Sequence, residues 1–568
     1  MRIFFDQRLH HLRATAVAMA AVLATYGSAL LLEHLAHLRV DIVIQAVVLA
    51  ATSARVQRAA DRVDRLLGLA VLPAAAMAAA ELSRLMASHP DPADALFVAG
   101  VGGSIWVRRF GPRATRAGTL AVLPLISILV VRAPAGHLPG HDRTLWVGLV
   151  ALIAGGWGAA LAAAAVRAGI LERPRARPAT PAPAPVPAPT PKPTPAAAPG
   201  ARSGGGRHRP AAGTRMALQM AVALAAAFAV GRNVWPDHWS WVVLTAFIVC
   251  SGARGRGDVL LKGAQRTGGA ALGTVVATAV AGSFGPHANA SVVLIFTVLA
   301  VATWLREWSY AYWAGCVTAV LSLLYGWFGE SADDLLRTRL AGIGAGAALG
   351  IAASWLILPV RTRDVLRRRT AEALAALGDL LATDRQDQRA LRRGLARFEY
   401  RLEQLLLIAG PLRVQRRVAA RLGPGRPQPA DAVDAVRRCA EPARTLVRCW
   451  ARPAAPAGRG VVEDPGVAAD PDVAAAVGAV RANLAAVRRA IGGQPGAPYR
   501  AAALAPAGAP GAGPRPESAA PASAGWAAWA ALTAIDGELA LLAEMFGGPA
   551  GPDAPGPGRP APATAPAP

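Results

Sequence analysis

The sequence is poor in cysteine and lysine. None of its four cysteines belongs to a CxxC pair. They are Cys250, Cys316, Cys439 and Cys449. This spacing supports neither a metal site nor a disulfide framework. Lysine occurs only at Lys192 and Lys262, whereas alanine, arginine, glycine and proline are abundant. That bias is expected of a GC-rich genome and indicates a bacterial source.

The sequence also lacks the motifs of nucleotide-dependent enzymes. No GxxxxGK[ST] phosphate loop occurs, and no other nucleotide-binding fingerprint follows a predicted strand. No credible catalytic triad is present either. We therefore expect neither enzyme catalysis nor ATP-driven pumping by this chain, and we predict no cofactor.

Charged residues are few and apolar runs are long. Only 17% of the residues are charged, whereas 54% are hydrophobic. The apolar residues are concentrated before about residue 360, in runs that approach the length needed to cross a bilayer. We predict an all-α, polytopic integral membrane protein with about twelve transmembrane helices, followed by a soluble helical tail.

The predicted spans form two sets of six, separated by a linker. The first set lies near 12–32, 39–54, 66–83, 94–107, 117–131 and 144–166. The second set lies near 214–231, 239–253, 267–284, 289–305, 309–326 and 336–359. The segment 172–213 between them is rich in proline, alanine, glycine and arginine and has no apolar face to bury. We predict that it is a disordered linker.

The pattern changes after residue 360 to that of soluble amphipathic helices. Leu391, Leu395, Phe398, Leu402 and Leu405 follow the 3–4 spacing of one helix face. The predicted domains are therefore a first six-span repeat at 1–171, the linker, a second repeat at 214–360, a cytosolic helical domain at 361–496, a disordered linker at 497–524, a C-terminal amphipathic helix at 525–546 and a disordered tail at 547–568.

The net charge of +25 raises nucleic-acid binding as a first hypothesis. The basic residues, however, sit in clusters between apolar runs, and alternate loops differ in basic content as the positive-inside rule requires. The basic loops include Arg55, Arg58, Arg62 and Arg65, then Arg108, Arg109, Arg113 and Arg116, then Arg254, Arg256, Lys262 and Arg266. We predict the cytoplasmic membrane as the location, both termini in the cytoplasm, and no nucleic-acid partner.

The two halves resemble each other in detail. Arg65 precedes Gly68 by three residues, as Arg266 precedes Gly269. A second correspondence relates Trp106, Arg108 and Gly118 to Trp304, Arg306 and Gly315. These matches indicate an internal duplication. Because each copy has an even number of spans, the copies are parallel and related by a pseudo-twofold axis along the membrane normal, with any pathway expected between them.

One stretch, 235–273, combines an aromatic entry to a span with a basic loop and a glycine-rich start of the next span. It resembles the fusaric acid resistance and aromatic acid exporter superfamily, with its His/Tyr-Trp entry and its R-x-x-G-T-x-x-G motif. The matching residues are His238, Trp239, Arg266, Gly269 and Gly273. Ala270 departs from the usual threonine, and the resemblance covers about 214–360. It implies a membrane permease for aromatic or other small organic acids, and the superfamily also includes plant anion channels.

The leading hypothesis is an efflux permease that exports small, aromatic organic acids across the cytoplasmic membrane, with proton coupling left open. A passive anion channel and a membrane scaffold with a partner-binding cytosolic tail are the alternatives. The partners expected are the lipid bilayer and a small organic anion. A homo-oligomer and a cytosolic protein partner of the tail also remain open.

Several residues are candidates for the substrate pathway. Arg65 and Arg266 at span ends are candidate anion attractors, although arginines there commonly serve only to set topology. Asp237 and His238 are a candidate proton-coupling pair, because histidine changes charge near neutral pH. With Trp239 they fit equally an interfacial loop and its aromatic belt.

Two further groups of residues are a turn that could gate the pathway and a set of glycines. Arg306 and Glu307 are a candidate gate, although an aromatic-flanked interfacial turn would look the same. Glycines that are four residues apart form two helix faces that let helices approach closely. We assign these glycines to helix packing; they are Gly269, Gly273, Gly342, Gly346 and Gly350.

Overall fold

The computed structural model describes most of the chain outside the predicted linkers. The described residues are 2–37, 40–58, 61–130, 142–171, 212–281, 287–306, 308–328, 332–423, 427–451, 471–494, 496–501 and 524–547. They separate into two compact units, one before Thr362 and one from Thr362 onwards. Glu307 and most of the predicted linkers lie outside the described residues.

The first unit is built of helices at the positions of the predicted spans. The first half contains α1 (Arg2–Ala36), α2 (Val40–Arg58), α3 (Arg62–Ser88), α4 (Pro90–Val107), α5 (Pro112–Val130) and α6 (Asp142–Arg167). The second half contains α7 (Ala212–Val234), α8 (Trp239–Cys250), α9 (Arg256–Ala281), α10 (Asn289–Leu305), α11 (Tyr310–Trp327) and α12 (Ala332–Leu356).

Length and composition identify seven helices that could cross a membrane within the described residues. They lie at Leu9–Ala36, Arg62–Ser88, Pro112–Val130, Arg143–Arg167, Gly213–Val234, Arg337–Leu356 and Trp526–Phe546. Shorter apolar helices occur at Val40–Ala54, Trp239–Cys250 and Asn289–Leu305. The described residues are thus helical, as a polytopic membrane protein requires. A count of twelve spans stays a prediction.

The helices of the two halves pack in the same pairs. In the first half, α1 contacts α2 and α6, and α3 contacts α5 and α6. In the second half, α7 contacts α8 and α12, and α9 contacts α11 and α12. These helix pairs of the first half therefore recur between the helices six places along in the second half.

The two halves meet through α4 and α7, with a smaller contact between α1 and α10. An apolar core spans the α4–α7 contact, where the rings of Phe97 and Phe228 lie 5.4 Å apart in an edge-to-face arrangement. At one end of these helices Arg232 donates to both oxygens of Asp94, at 2.8 and 2.7 Å. Burial of this apolar surface and the bidentate ion pair join the halves.

Glycines set the closest helix contacts of the second half. Gly269 and Gly273 of α9 lie against the backbone of α11, at Ala311 and Gly315, where a Cβ atom would have no room. Gly346 of α12 lies equally close to the backbone of α8. Small residues at such contacts allow two backbones to approach. The side chains next to these glycines are consequently enclosed between helices.

The second unit is a helical bundle with its own apolar core. Its helices are α13 (Thr362–Leu381), α14 (Gln388–Leu406), α15 (Ala409–Arg421), α16 (Pro429–Arg438), α17 (Ala440–Trp450), α18 (Pro471–Gly492) and α19 (Ala524–Phe546). The predicted apolar faces pack in this core, including those of Leu391, Phe398 and Leu539.

The last helix, α19, belongs to this bundle although its composition would also suit a membrane span. Asp536 is 5% exposed and accepts a hydrogen bond from the amide of Asn483 on α18, at 2.8 Å. The hydroxyl of Tyr499 also donates to Asp536, at 3.1 Å. Tyr499 lies in the segment 497–524 predicted to be a disordered linker, and the packed chain extends to residue 501.

Candidate anion site

Arg266 is buried inside the second half of the membrane unit. It lies on α9 three residues before Gly269, so both residues occupy the same helix face, and the close approach of α11 at Gly269 encloses the guanidinium. Arg266 is 2% exposed, and its Nε and Nη1 atoms have no hydrogen-bond partner. The hydroxyl of Tyr310, at the start of α11, is buried nearby and also has no partner.

A second arginine, Arg339, is enclosed in the same way. It lies on α12 three residues before Gly342 and is 3% exposed. Its Nη1 donates to the hydroxyl of Ser322 at 3.0 Å, whereas its Nη2 is buried without a partner. Its guanidinium carbon lies 5.7 Å from the ring centroids of both Trp241 and Tyr325.

Neither guanidinium group has a negative counterpart in the part of the chain that the structure describes. They are close enough for their charges to interact, and no described carboxylate lies within ion-pair distance of either. Two half-buried arginines of this unit are neutralised in contrast, because Arg143 pairs with Asp41 at 2.6 Å and Arg116 pairs with Asp64. Two adjacent buried cations without an anion are costly. This arrangement is suited to receive a small anion.

Arg65, the first-half counterpart of Arg266, is less enclosed. It is half-buried, and its Nε is buried without a partner. Gln57 lies beside the following turn, where a Cβ atom added at Gly68 would come 3.1 Å from its Nε2. Gln57 is 1% exposed, and this Nε2 also has no partner. The first half thus has a polar position at this place but only one arginine.

Asp237, His238 and Trp239 lie at the turn between α7 and α8. Asp237 is exposed and His238 half-buried. The ring of His238 lies 4.4 Å from that of Trp241, which connects the turn to Arg339. Trp239 stacks under the guanidinium of Arg232 at 4.3 Å. Of these three predicted residues, His238 is therefore in contact with the surroundings of Arg339.

Arg306 ends α10 and lies 4.7 Å above the ring of Trp313. It is close enough to Tyr310 and Lys262 to interact with both electrostatically. Lys262 donates to the carbonyl of Ser251 at 2.7 Å. This end of the second half thus carries several positive charges around Tyr310. Glu307, the other half of the predicted gate, lies outside the described residues.

A groove of about 850 Å³ lies between α4 and α7 and therefore between the two predicted repeats. Its walls are mostly alanine and glycine, including Ala99, Gly102 and Ala221. Three charged residues line the groove, and two of them, Asp94 and Arg232, pair with each other, whereas the third is Asp91. Within the described part of the chain, no group of three or more histidine, cysteine, aspartate or glutamate residues could hold a metal ion.

Sequence reasoning found Arg266 but missed Arg339. The missed signal is the R-x-x-G pattern itself, because Arg339 stands before Gly342 just as Arg65 and Arg266 stand before Gly68 and Gly269. In the sequence, Arg339 follows Arg337 and two aspartates at the start of a predicted span, where a basic residue is normally an interfacial anchor. The structure instead buries Arg339 between α8, α11 and α12.

The apolar helices that are long enough to cross a bilayer indicate a polytopic helical membrane protein. Residues 220–353 match the family model described as fusaric acid resistance protein-like. This segment is similar to that family, as the motifs at 235–273 predicted. The match covers most of the second predicted repeat and points to membrane transport or efflux rather than to an enzyme. No curated protein matches the chain significantly.

Proposed function

We propose that the protein is an efflux permease that exports small, aromatic organic acids across the cytoplasmic membrane. The single observation that carries the proposal is the pair of buried arginines, Arg266 and Arg339, which have unused N–H groups and no carboxylate partner among the described residues. In a low-dielectric slab, an anion in transit needs fixed positive charge. The family match supplies the transport class.

We also propose that the two halves are parallel six-span repeats with both termini inside. The matching helix pairs in the two halves support the duplication. A parallel pair would place related contacts at α4–α7 and α1–α10, and both contacts are present. The groove between α4 and α7 is one opening between the two proposed repeats.

Transport in proteoliposomes tests the proposal directly. Vesicles containing the full chain are loaded with radiolabelled benzoate, and its movement is followed with and without an imposed proton gradient. An exporter moves benzoate uphill, and the movement stops when a protonophore collapses the gradient. Flux that only follows voltage and the anion gradient would favour a channel, and no flux of any tested acid would favour a scaffold.

Glutamine substitutions separate anion attraction from topology. Arg266→Gln removes one of the two buried cations, so we expect benzoate flux to fall by at least about tenfold, the loss typical of a charge-assisted hydrogen bond. Arg65→Gln tests the first-half counterpart. Arg62→Gln is the matched control, because Arg62 is exposed at the start of α3, the helix that carries Arg65. If all three variants moved benzoate as fast as the unmodified protein, a role for the buried arginines would be contradicted.

Proton coupling is assigned to the turn at Asp237 and His238. His238 contacts Trp241, which in turn contacts Arg339, so a charge change at this histidine would be felt near the anion site. We expect His238→Ala to flatten the pH dependence of uphill export. An unchanged pH profile would leave the turn as an interfacial loop.

A further inference from the structure

We propose that Arg339, Trp241 and Tyr325 form the subsite that selects an aromatic carboxylate, with the carboxylate on Arg339 and the ring against the aromatic side chains. This inference rests on the proposed transport function and adds the residues that would recognise the substrate. The subsite lies entirely within the second repeat, on α8, α11 and α12.

The geometry of Arg339 points to a carboxylate. The hydroxyl of Ser322 accepts from Nη1 at 3.0 Å and fixes the plane of the guanidinium. Nη2 remains buried without a partner. A guanidinium fork matches the planar carboxylate group better than an ammonium does. An uncompensated arginine at 3% exposure therefore favours a ligand that brings a negative oxygen to Nη2.

The rings around Arg339 point to an aromatic ligand. Trp241 and Tyr325 flank the guanidinium at 5.7 Å each, and their own centroids lie 6.1 Å apart. The ring of His238 extends the aromatic wall from Trp241. Aromatic pairs prefer offset or edge-to-face contacts at such separations. An aryl group attached to the bound carboxylate would meet this wall.

Packing explains why this subsite is built in the second repeat. Gly346 brings α12 against the backbone of α8. A Cβ atom added at Gly342 would lie 3.5 Å from Cγ2 of Val242 and 3.6 Å from Cβ of Trp241. The close approach holds Trp241, which is 5% exposed, beside Arg339. In contrast, the charged residues that line the groove between the repeats are Asp91 and the ion-paired Asp94 and Arg232. The described lining of this groove supplies no unpaired guanidinium.

Binding to three matched compounds tests the inference. Benzoate has both a carboxylate and an aromatic ring, cyclohexanecarboxylate has the charge without the aromatic face, and benzyl alcohol has the ring without the charge. Dissociation constants are measured by ligand-observed NMR with the full chain in nanodiscs. We expect benzoate to bind about three- to tenfold more tightly than cyclohexanecarboxylate, the range given by an aromatic contact. Benzyl alcohol is expected to bind most weakly.

Variants assign the two contributions to the named residues. Arg339→Gln should weaken benzoate binding by about ten- to a hundredfold, whereas Arg337→Gln, an exposed change on the same helix, should not. Arg339→Lys keeps the charge without the planar fork and should recover binding only in part. Trp241→Leu should remove the preference for benzoate over cyclohexanecarboxylate. This ratio is measured within one protein sample, so it is independent of the yield of folded protein.

The outcomes distinguish this inference from the proposed function. Benzoate export that persists in proteoliposomes of Arg339→Gln, together with unchanged binding, would overturn the subsite and leave the permease. Equal binding of benzoate and cyclohexanecarboxylate to the unmodified protein would overturn aromatic selection. A protein that neither binds nor moves any tested acid would overturn both proposals.

Discussion

Asp434 of α16 is a carboxylate held charged in the core of the tail bundle. Burial, at 7% exposure, raises its pKa, but hydrogen bonds from Arg416 at 2.8 Å and Arg413 at 3.3 Å outweigh this effect. The pKa of Asp434 is therefore below its usual value. A lowered pKa in the folded state stabilises the fold above the pKa of the unfolded chain, and this stabilisation is lost as the pH falls.

Asp434→Asn should destabilise the tail at neutral pH by about 1–2 kcal/mol, because it removes charge-assisted hydrogen bonds whose arginine partners are partly solvated. The thiol of Cys439 provides the measurement. Cys439 directly follows α16 and is fully buried. This burial raises the pKa of its thiol to about 12. In a chain that retains only this cysteine, its reaction with an acid-tolerant disulfide reagent in increasing urea reports unfolding of the tail.

The difference between Asp434→Asn and the unmodified residue should shrink as the pH falls below about 4, where the unfolded carboxyl becomes protonated. Asp379→Asn is the control. The side chain of Asp379 is 66% exposed and lies 3.7 Å from Arg397, so its loss should change stability by less than about 0.5 kcal/mol. A constant difference across pH would contradict the assigned pKa.

Of the two buried arginines, one could be predicted from the sequence and the other could not. Arg266 could be singled out because the family motif at 235–273 contains it. Arg339 stands near a predicted span end, where basic residues normally anchor a helix at the interface. Only the packing of α12 against α8 and α11 distinguishes a buried guanidinium from such an anchor. The R-x-x-G spacing is a local signal, but burial depends on contacts between distant segments.

Contacts between helices depend on particular glycines and not on glycine content in general. On α9, Gly273 faces the backbone of α11 at Gly315, whereas Gly268 has no atom within 4 Å of an added Cβ. The same helix thus has glycines that are needed for packing and one, Gly268, that is not. The difference cannot be read from composition, although the spacing of Gly269 and Gly273 favours the packing face.

Gly273→Ala should force α9 and α11 apart and destabilise the membrane unit by about 1–3 kcal/mol, the usual cost of overpacking. Gly268→Ala should be neutral or stabilising by up to about 1 kcal/mol, because alanine restricts the unfolded chain without a clash. The midpoints of thermal unfolding of the purified full chain in detergent provide the comparison. A lower midpoint for Gly268→Ala than for Gly273→Ala would contradict the contact.

Helix positions follow well from sequence, and helix ends less so. Each predicted span has a helix over it, because apolar runs of that length satisfy their backbone only as helices. The helices also extend into polar segments, as α9 does by beginning at Arg256 where the span was predicted from 267. Polar first turns are invisible to a hydropathy pattern. Conversely, α19 is apolar enough for a span, yet its packing with Asn483 places it in the tail bundle.

At the scale of the whole molecule, loop charge and helix pairing favour the same organisation. The alternating arginine clusters predict an even number of crossings, and the matching helix pairs support a duplication. Neither pattern specifies which surface the substrate follows. The pathway depends on which charges remain unpaired after the helices have packed, and this property emerges only from the assembled unit.

Labelling of single cysteines tests the organisation of the whole chain. In a chain without its native cysteines, Ser88→Cys and Asn233→Cys are expected outside, whereas Arg113→Cys and Gln386→Cys are expected inside. All four positions are exposed. A membrane-impermeant maleimide added to intact cells should label the first pair within minutes and the second pair only after permeabilisation. Labelling of Arg113→Cys in intact cells would break the predicted alternation.

Gly547→Cys, just after α19, decides between an even and an odd number of crossings. If α19 crossed the bilayer, as its hydropathy alone allows, Gly547→Cys would be labelled from outside while Gln386→Cys stayed protected. The buried pair of Asp536 and Asn483 argues against that arrangement, since separating it would expose a carboxylate to lipid. We therefore expect Gly547→Cys to be protected in intact cells, and its external labelling would place the C-terminus outside.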